Sequence, residues 1–368
     1  MYQEPSENMS IRPRRSLLSP ALKRPSALLS QARDESALWL DKNENLDPIL
    51  MGLTNKILQS IESIHIATYP EIGDLYRKLS QWVGVSPESL LITPGSDGGI
   101  RLTFEVFVEH AEPVIYTNPT FAMYRVYCQM FGAEECVIDY VPTDSGPYLD
   151  PKIIIHMLRQ KRPKLFCLPN PDSPTGTVVQ EKQLQEILSV CEETDTVFLL
   201  DEAYHPFYDW TAVQWTQQSR HLVIARTFAK AWGSAGLRIG YLVAHPETIT
   251  LFHKMRPMYE VGSVSIEFMN KMLDHPQAME DSVARINEGK MYFINEMSLM
   301  GFKVLPAAGN FIHVWFGDKG NLVAKVLADK VLYRHFFEHP ALAGYSRFSI
   351  APKNDMEKVV DLIRKAID

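Results

Sequence analysis

The sequence predicts an α/β fold, a large domain on a mostly parallel sheet with a smaller α+β domain beside it. Two features carry this. Short apolar runs recur at Val114-Ile115-Tyr116, Cys136-Val137-Ile138, Leu165-Phe166-Cys167-Leu168, Val197-Phe198-Leu199-Leu200 and Leu222-Val223-Ile224-Ala225, and helical stretches such as 181–193 separate several of them. Apolar runs without alternation suit strands buried on both faces, the condition of a parallel sheet. Beyond about residue 260 the texture changes to a long helical stretch over 277–299, strand-like segments at 311–315 and 347–350, and a last helix near 354–366.

The elements follow in order. Residues 1–36 carry Arg12, Arg14, Arg15, Lys23, Arg24 and Arg33 with Pro5, Pro13, Pro20 and Pro25. They contain no apolar segment of a secretory leader, so an arm is expected that is flexible or packs on a partner subunit. Residues 37–64 are expected to join the small domain, 65–260 to form the large domain, and 261–368 to complete the small one. Leu90-Leu91-Ile92-Thr93 reads as a strand, and from Ile100 the apolar residues Ile100, Phe104, Phe107 and Val108 recur at helical spacing. Gly95-Ser96-Asp97 lies between the two. Such a junction is an ordinary helix cap, and its free N–H groups and dipole also favour a phosphate dianion.

Composition narrows the function. The 368 residues are 46% hydrophobic and 22% charged, ordinary for a globular chain with a large core. A net charge of −7 gives no electrostatic footprint for nucleic acid. No apolar run has the length of a membrane helix. Cys128, Cys136, Cys167 and Cys191 lack metal-ligand spacing and read as reduced core thiols, which fits a cytoplasmic protein.

The chemistry is concentrated between Asp201 and Arg238. Asp201 ends an apolar run, Tyr204 follows three residues on, Lys230 closes Ala225-Arg226-Thr227-Phe228-Ala229-Lys230, and Arg238 comes eight residues later. A lysine amine can form a Schiff base with an aldehyde. An acid can pair with a protonated pyridine nitrogen, a phenol can hydrogen-bond a ring oxygen, and a guanidinium can fork onto a phosphate. Together they are what is needed to hold and use pyridoxal 5'-phosphate. Ligands of open parallel sheets sit at the carboxyl ends of strands, and Asp201 and Thr227 fall at such ends.

This ordered set resembles the class I/II aminotransferases of fold type I, and within them the histidinol-phosphate aminotransferase-like branch, from roughly residue 38 onward. The resemblance implies a seven-stranded, mostly parallel sheet and a pyridoxal 5'-phosphate cofactor. It makes Gly95, Ser96 and Asp97 the phosphate cup, with Thr227 and Arg238 as further phosphate contacts. Asp201 would keep the pyridine nitrogen protonated, and Tyr204 would donate to the ring oxygen. Phe121, in Asn118-Pro119-Thr120-Phe121, matches the aromatic residue that stacks on the ring. Tyr69, in Thr68-Tyr69-Pro70-Glu71, matches a tyrosine that reaches the phosphate of the neighbouring subunit, which implies a homodimer with a shared site.

Some positions depart from the family pattern. In Asn170-Pro171-Asp172-Ser173-Pro174-Thr175-Gly176 the family has asparagine where Ser173 stands. The serine is shorter and carries one proton, so a weaker or water-mediated contact to the ring oxygen is expected. Leu46 replaces the proline of an Asn-Glu-Asn-Pro segment at the entrance. Glu260 stands where asparagine is usual and is expected near the mouth, as a contact for a cation or as a solvated acid. Arg347, in Tyr345-Ser346-Arg347-Phe348, resembles the arginine that grips a substrate carboxylate or phosphate. Arg334 matches a second arginine of the phosphate-binding branch, or is a strand-end surface residue.

The implied reaction is transamination between an amino donor and a 2-oxo acid acceptor, with Lys230 as proton carrier and ping-pong kinetics. A decarboxylase or lyase on the same scaffold is the alternative, distinguished by its independence of an acceptor. A regulatory domain of this family would carry an N-terminal DNA-binding module, and the 36-residue arm is too short and proline-rich for one. A structural protein with a dead site conflicts with the presence of Lys230, Asp201, Tyr204 and Arg238.

Overall fold

The computed structural model describes residues 13–18, 22 and 32–367. Most of the arm expected over 1–36 therefore lies outside the described residues. Within them, Ser16 Oγ donates to the Met130 carbonyl at 2.8 Å and the Arg14 guanidinium lies 5.6 Å over the Phe131 ring. This part of the arm packs on the chain's own helix Met123–Phe131.

The central sheet has seven strands in the order Leu90–Thr93, Gly240–Ala244, Leu222–Thr227, Val197–Asp201, Leu165–Pro169, Pro113–Asn118 and Glu134–Asp139. Gly240–Ala244 runs antiparallel to both neighbours and the remaining pairs are parallel. The expected mostly parallel sheet is present. Alternate residues feed two cores, Phe166, Leu168, Phe198, Leu200 and Ile224 on one face and Leu165, Cys167, Leu199 and Val223 on the other. Burying each such large side chain stabilises the fold by about 1.5–3 kcal/mol relative to exposure. All four cysteines are buried and free, as the apolar surroundings predicted.

One strand differs from expectation. Glu134–Asp139 is the outer edge of the sheet, and its residues alternate between buried and exposed, with Val137 40% exposed. The run Cys136-Val137-Ile138 looked doubly buried only because one solvent-facing position happens to be valine. Glu135 and Asp139 keep the rest of that face charged, which protects an open edge from pairing.

A second body of structure surrounds the antiparallel strands Lys303–Leu305, Phe311–Trp315 and Tyr345–Ser349. The helices Pro276–Leu299 and Lys353–Ile367 cover them through Ile286, Phe293, Met297, Val359 and Ile363. The last strand begins two residues earlier than its apolar pattern suggested. Leu38–Leu40 pairs in parallel with Val331–Tyr333, so an early strand is laid beside a late one. Among the described residues no helix is long and apolar enough to cross a membrane.

Candidate active site

The strands of the large sheet deliver their carboxyl ends to a cavity of about 950 Å³. Asp201 and Thr227, the last residues of adjacent strands, both line it. The facing wall comes from Arg347, Arg334 and the stretch 41–44 that follows Leu38–Leu40.

Asp201 is buried, and two groups hold its carboxylate. Tyr124 Oη donates to Oδ2 at 3.0 Å and the Ala203 N–H donates to Oδ1 at 3.0 Å. Burial outweighs both and pushes its pKa up to about 6. The next residue, Glu202, accepts from the Arg226 guanidinium at 2.8 and 3.0 Å and from the Ala212 N–H at 2.9 Å. That buried pair anchors the turn on which Asp201 sits.

Lys230 lines the cavity half-buried, and its Nζ donates to the Lys42 carbonyl at 2.8 Å. Burial, reinforced by the positive charge of Arg347, lowers its pKa to about 8. The amine is therefore far easier to deprotonate than an exposed lysine. Tyr204 is buried, with its ring 5.4 Å from Phe311 and 5.9 Å from Lys230 Nζ. Its oxygen accepts from Asn43 Nδ2 at 2.8 Å.

Ser96, Asp97, Thr227 and Arg238 gather on one side of the cavity, at the start of the helix Gly95–Phe107. Gly95 does not line the cavity; it has φ 74°, and a Cβ there would meet Arg238 Nη2 at 2.8 Å. A Cβ on Gly240 would lie 2.6 Å from the Ser96 nitrogen. The two glycines let strand, helix start and guanidinium close around a small anion. Asp97 is held by Tyr127 Oη at 2.7 Å. An anion cradle, a buried carboxylate, a phenol, an aromatic ring at Phe121 and a low-pKa lysine around one space fit pyridoxal 5'-phosphate.

Phe121 and Ser173 also line the cavity. Asp172 ties their loops together, accepting from Thr120 Oγ1 and Thr175 Oγ1, both at 2.6 Å. Burial raises the pKa of Asp172 to about 6. Arg347 is 9% exposed and lies 5.4 Å over Phe311; its Nη2 donates to the Asp41 carbonyl at 2.8 Å and its Nε has no partner among the described residues.

Tyr69 was expected to serve the neighbouring subunit's site, and Leu46 and Glu260 to stand near the entrance. Tyr69 is 73% exposed, stacks on Tyr259 at 4.3 Å and does not line this chain's cavity. Leu46 and Glu260 do not line it either. Burial raises the pKa of Glu260 to about 7 against the pull of Arg256. Sequence reasoning put Asn43 in the entrance segment without its contact to Tyr204, and it missed Tyr124 and the aromatic and polar run Phe336-Phe337-Glu338-His339, all lining the cavity or touching a residue that does. The run had a usable signal, since it begins two residues after Arg334.

The family pattern of aminotransferase class I and II matches residues 35–363. The chain belongs to that family. It is thus a pyridoxal-phosphate-dependent aminotransferase of fold type I, and transamination is the chemistry its sequence had implied. The chain is 27% identical over 330 residues to a histidinol-phosphate aminotransferase of Caldanaerobacter subterraneus subsp. tengcongensis, covering 89% of this chain and 92% of the relative. Its fold is similar to that of a histidinol-phosphate aminotransferase from Sinorhizobium meliloti solved with pyridoxal-5'-phosphate, with TM-score 0.76, 22% identity, and 89% and 91% of the two chains covered. It is also similar to an L-threonine-O-3-phosphate decarboxylase from Porphyromonas gingivalis, with TM-score 0.73, 20% identity, and 90% and 99% covered. Likeness at that identity carries the aminotransferase fold and leaves the substrate to the cavity itself.

Proposed function

We propose that this aminotransferase takes an amino donor bearing a second anionic group and exchanges its amino group with a 2-oxo acid. The observation that carries this is the pair Arg334 and Arg347. Both line the cavity, and neither makes an ion pair with a carboxylate among the described residues. Two guanidiniums without acids call for an anionic ligand at each.

The cofactor supplies an electron sink when bound. Asp201 would hold the pyridine nitrogen protonated; Ser96, Asp97, Thr227 and Arg238, backed by Gly95, would hold the phosphate; Phe121 would cover the ring. Tyr204 and Ser173 would serve the ring oxygen, and Ser173 and Arg347 the substrate carboxylate. Arg334 would take the second anionic group. Lys230, poised near neutrality, can accept a proton at Nζ and return it one position along.

Exposed Ile64, Ile66, Met258 and the Tyr69–Tyr259 stack support a homodimer in which Tyr69 completes the neighbouring site. The pairing of Leu38–Leu40 with Val331–Tyr333 supports a small domain made of residues 37–64 and 261–368 around a large domain of 65–260, preceded by an arm over 1–36. Four free buried thiols suit a reducing cytoplasm.

The test is to load the protein with pyridoxal 5'-phosphate and follow its absorbance while donors are screened. Donors with two anionic groups should bleach the band most readily, and turnover should need a 2-oxo acid. Carbon dioxide release without an acceptor would replace this reading with a decarboxylase.

A further inference from the structure

Asn43 is buried and sits at φ 55°, a left-handed conformation that asparagine tolerates better than most residues. Its surroundings fix it from every side. The backbone N–H donates to Ser349 Oγ at 2.7 Å, Ser349 Oγ donates to Asn43 Oδ1 at 3.1 Å, and the backbone carbonyl accepts from Asn310 Nδ2 at 3.1 Å. With Oδ1 turned to Ser349, the amide nitrogen faces Tyr204 Oη at 2.8 Å. An amide nitrogen only donates, so the phenol oxygen must accept. The single phenol proton is then left to point elsewhere, and the open direction is the cavity that Tyr204 lines.

We propose that Asn43 is a positioning residue for Tyr204: its amide occupies the phenol oxygen from behind and aims the hydroxyl proton into the cavity. Accepting one hydrogen bond polarises the O–H and makes it a stronger donor. Ser349 lies two residues beyond Arg347 on the same strand, so one clamp sets both the phenol and the guanidinium. The charged groups bearing on the phenol are Arg347 and Asp201, with Lys230 over the ring; Ser173 lines the cavity with it. What the aimed proton serves, the cofactor's ring oxygen, rests on the function proposed above.

The test replaces Tyr204 by a fluorinated tyrosine, which ionises at lower pH and reports by fluorine NMR. In cofactor-free protein, Asn43→Gly removes the amide and suits the positive φ. The phenol midpoint should rise by about one pH unit. An unchanged or lower midpoint overturns the proposal. In cofactor-loaded protein with ordinary tyrosine, Asn43→Gly should also shift the pH midpoint of the absorbance, and should do nothing further in a Tyr204→Phe background. Equal shifts in both backgrounds overturn the proposal too. If Asn43→Gly does not fold, Ser349→Ala leaves the amide but loosens it and should raise the phenol midpoint by a smaller amount; no rise counts against the proposal. A wild-type protein that binds no cofactor, with the phenol shifting as expected, removes the function reading and leaves the role of Asn43 standing.

Discussion

Arg334 and Arg347 face each other as an antiparallel pair, each peptide N–H donating to the other's carbonyl at 3.0 and 2.8 Å. Directly opposed residues present their side chains to the same face of a ladder, and like charges there repel. An anion between them turns the repulsion into binding. Arg334→Gln should therefore raise KM for donors with a second anionic group by ~10- to 100-fold, the range of a charge-assisted hydrogen bond. Donors with one carboxylate should be little changed. Steady-state kinetics on matched donor pairs checks this.

Lys230 should show its lowered pKa as reactivity. Only the neutral amine attacks an aldehyde, so capture of pyridoxal 5'-phosphate should accelerate as pH rises and level off above about 8. Because the charge of Arg347 helps keep that pKa down, Arg347→Gln should move the midpoint upward. Stopped-flow absorbance over pH 6–10 (roughly two units either side of the midpoint) measures both. Lys230→Ala should lose the covalent band and nearly all turnover.

Asp201 makes opposite demands of the empty and the loaded protein. Its folded pKa of about 6 lies above the ordinary 3.8, so the ionised form is the disfavoured one. Its contribution to the stability of cofactor-free protein falls as pH rises through 4 to 6, and the full penalty persists above that. Asp201→Asn should leave cofactor-free protein at pH 8 as stable as wild type or more so, by up to about 3 kcal/mol. The same change should speed loss of the cofactor. Thermal melts with and without pyridoxal phosphate separate the two effects.

Ser173 offers the ring oxygen one hydroxyl where an amide is usual in the family. Fewer hydrogen bonds to that oxygen leave the lysine-bound cofactor less acidic. Ser173→Asn should lower the pH midpoint of its absorbance change, read by spectroscopic titration.

Tyr69 tests the homodimer. If it reaches the neighbouring site, Tyr69→Ala and Lys230→Ala chains refolded together should recover more activity than the mean of the two separately. Each mixed dimer then holds one site with both residues intact. Activity at the mean would return Tyr69 to a surface role.

What the sequence disclosed divides along physical lines. Asp201, Thr227 and Lys230 were legible because each ends an apolar run, and strand ends in a parallel sheet converge. Ser96 and Asp97 were legible because helix starts have a local grammar. Asn43 touching Tyr204 and Tyr124 touching Asp201 were not, since those contacts join residues 161 and 77 positions apart.

The parallel pairing of Leu38–Leu40 with Val331–Tyr333 has a consequence in time. During synthesis the strands that end in Asp201 and Thr227, and the bend that carries Lys230, leave the ribosome before Arg334 and Arg347 of the facing wall are made. Lys42, which accepts from the Lys230 amine, and Asn43, which meets Tyr204, precede those strands in the chain, whereas Ser349, which holds Asn43, follows them. The nascent chain therefore completes the strands that end in Asp201 and Thr227 before the strand that carries Arg347 and Ser349 exists.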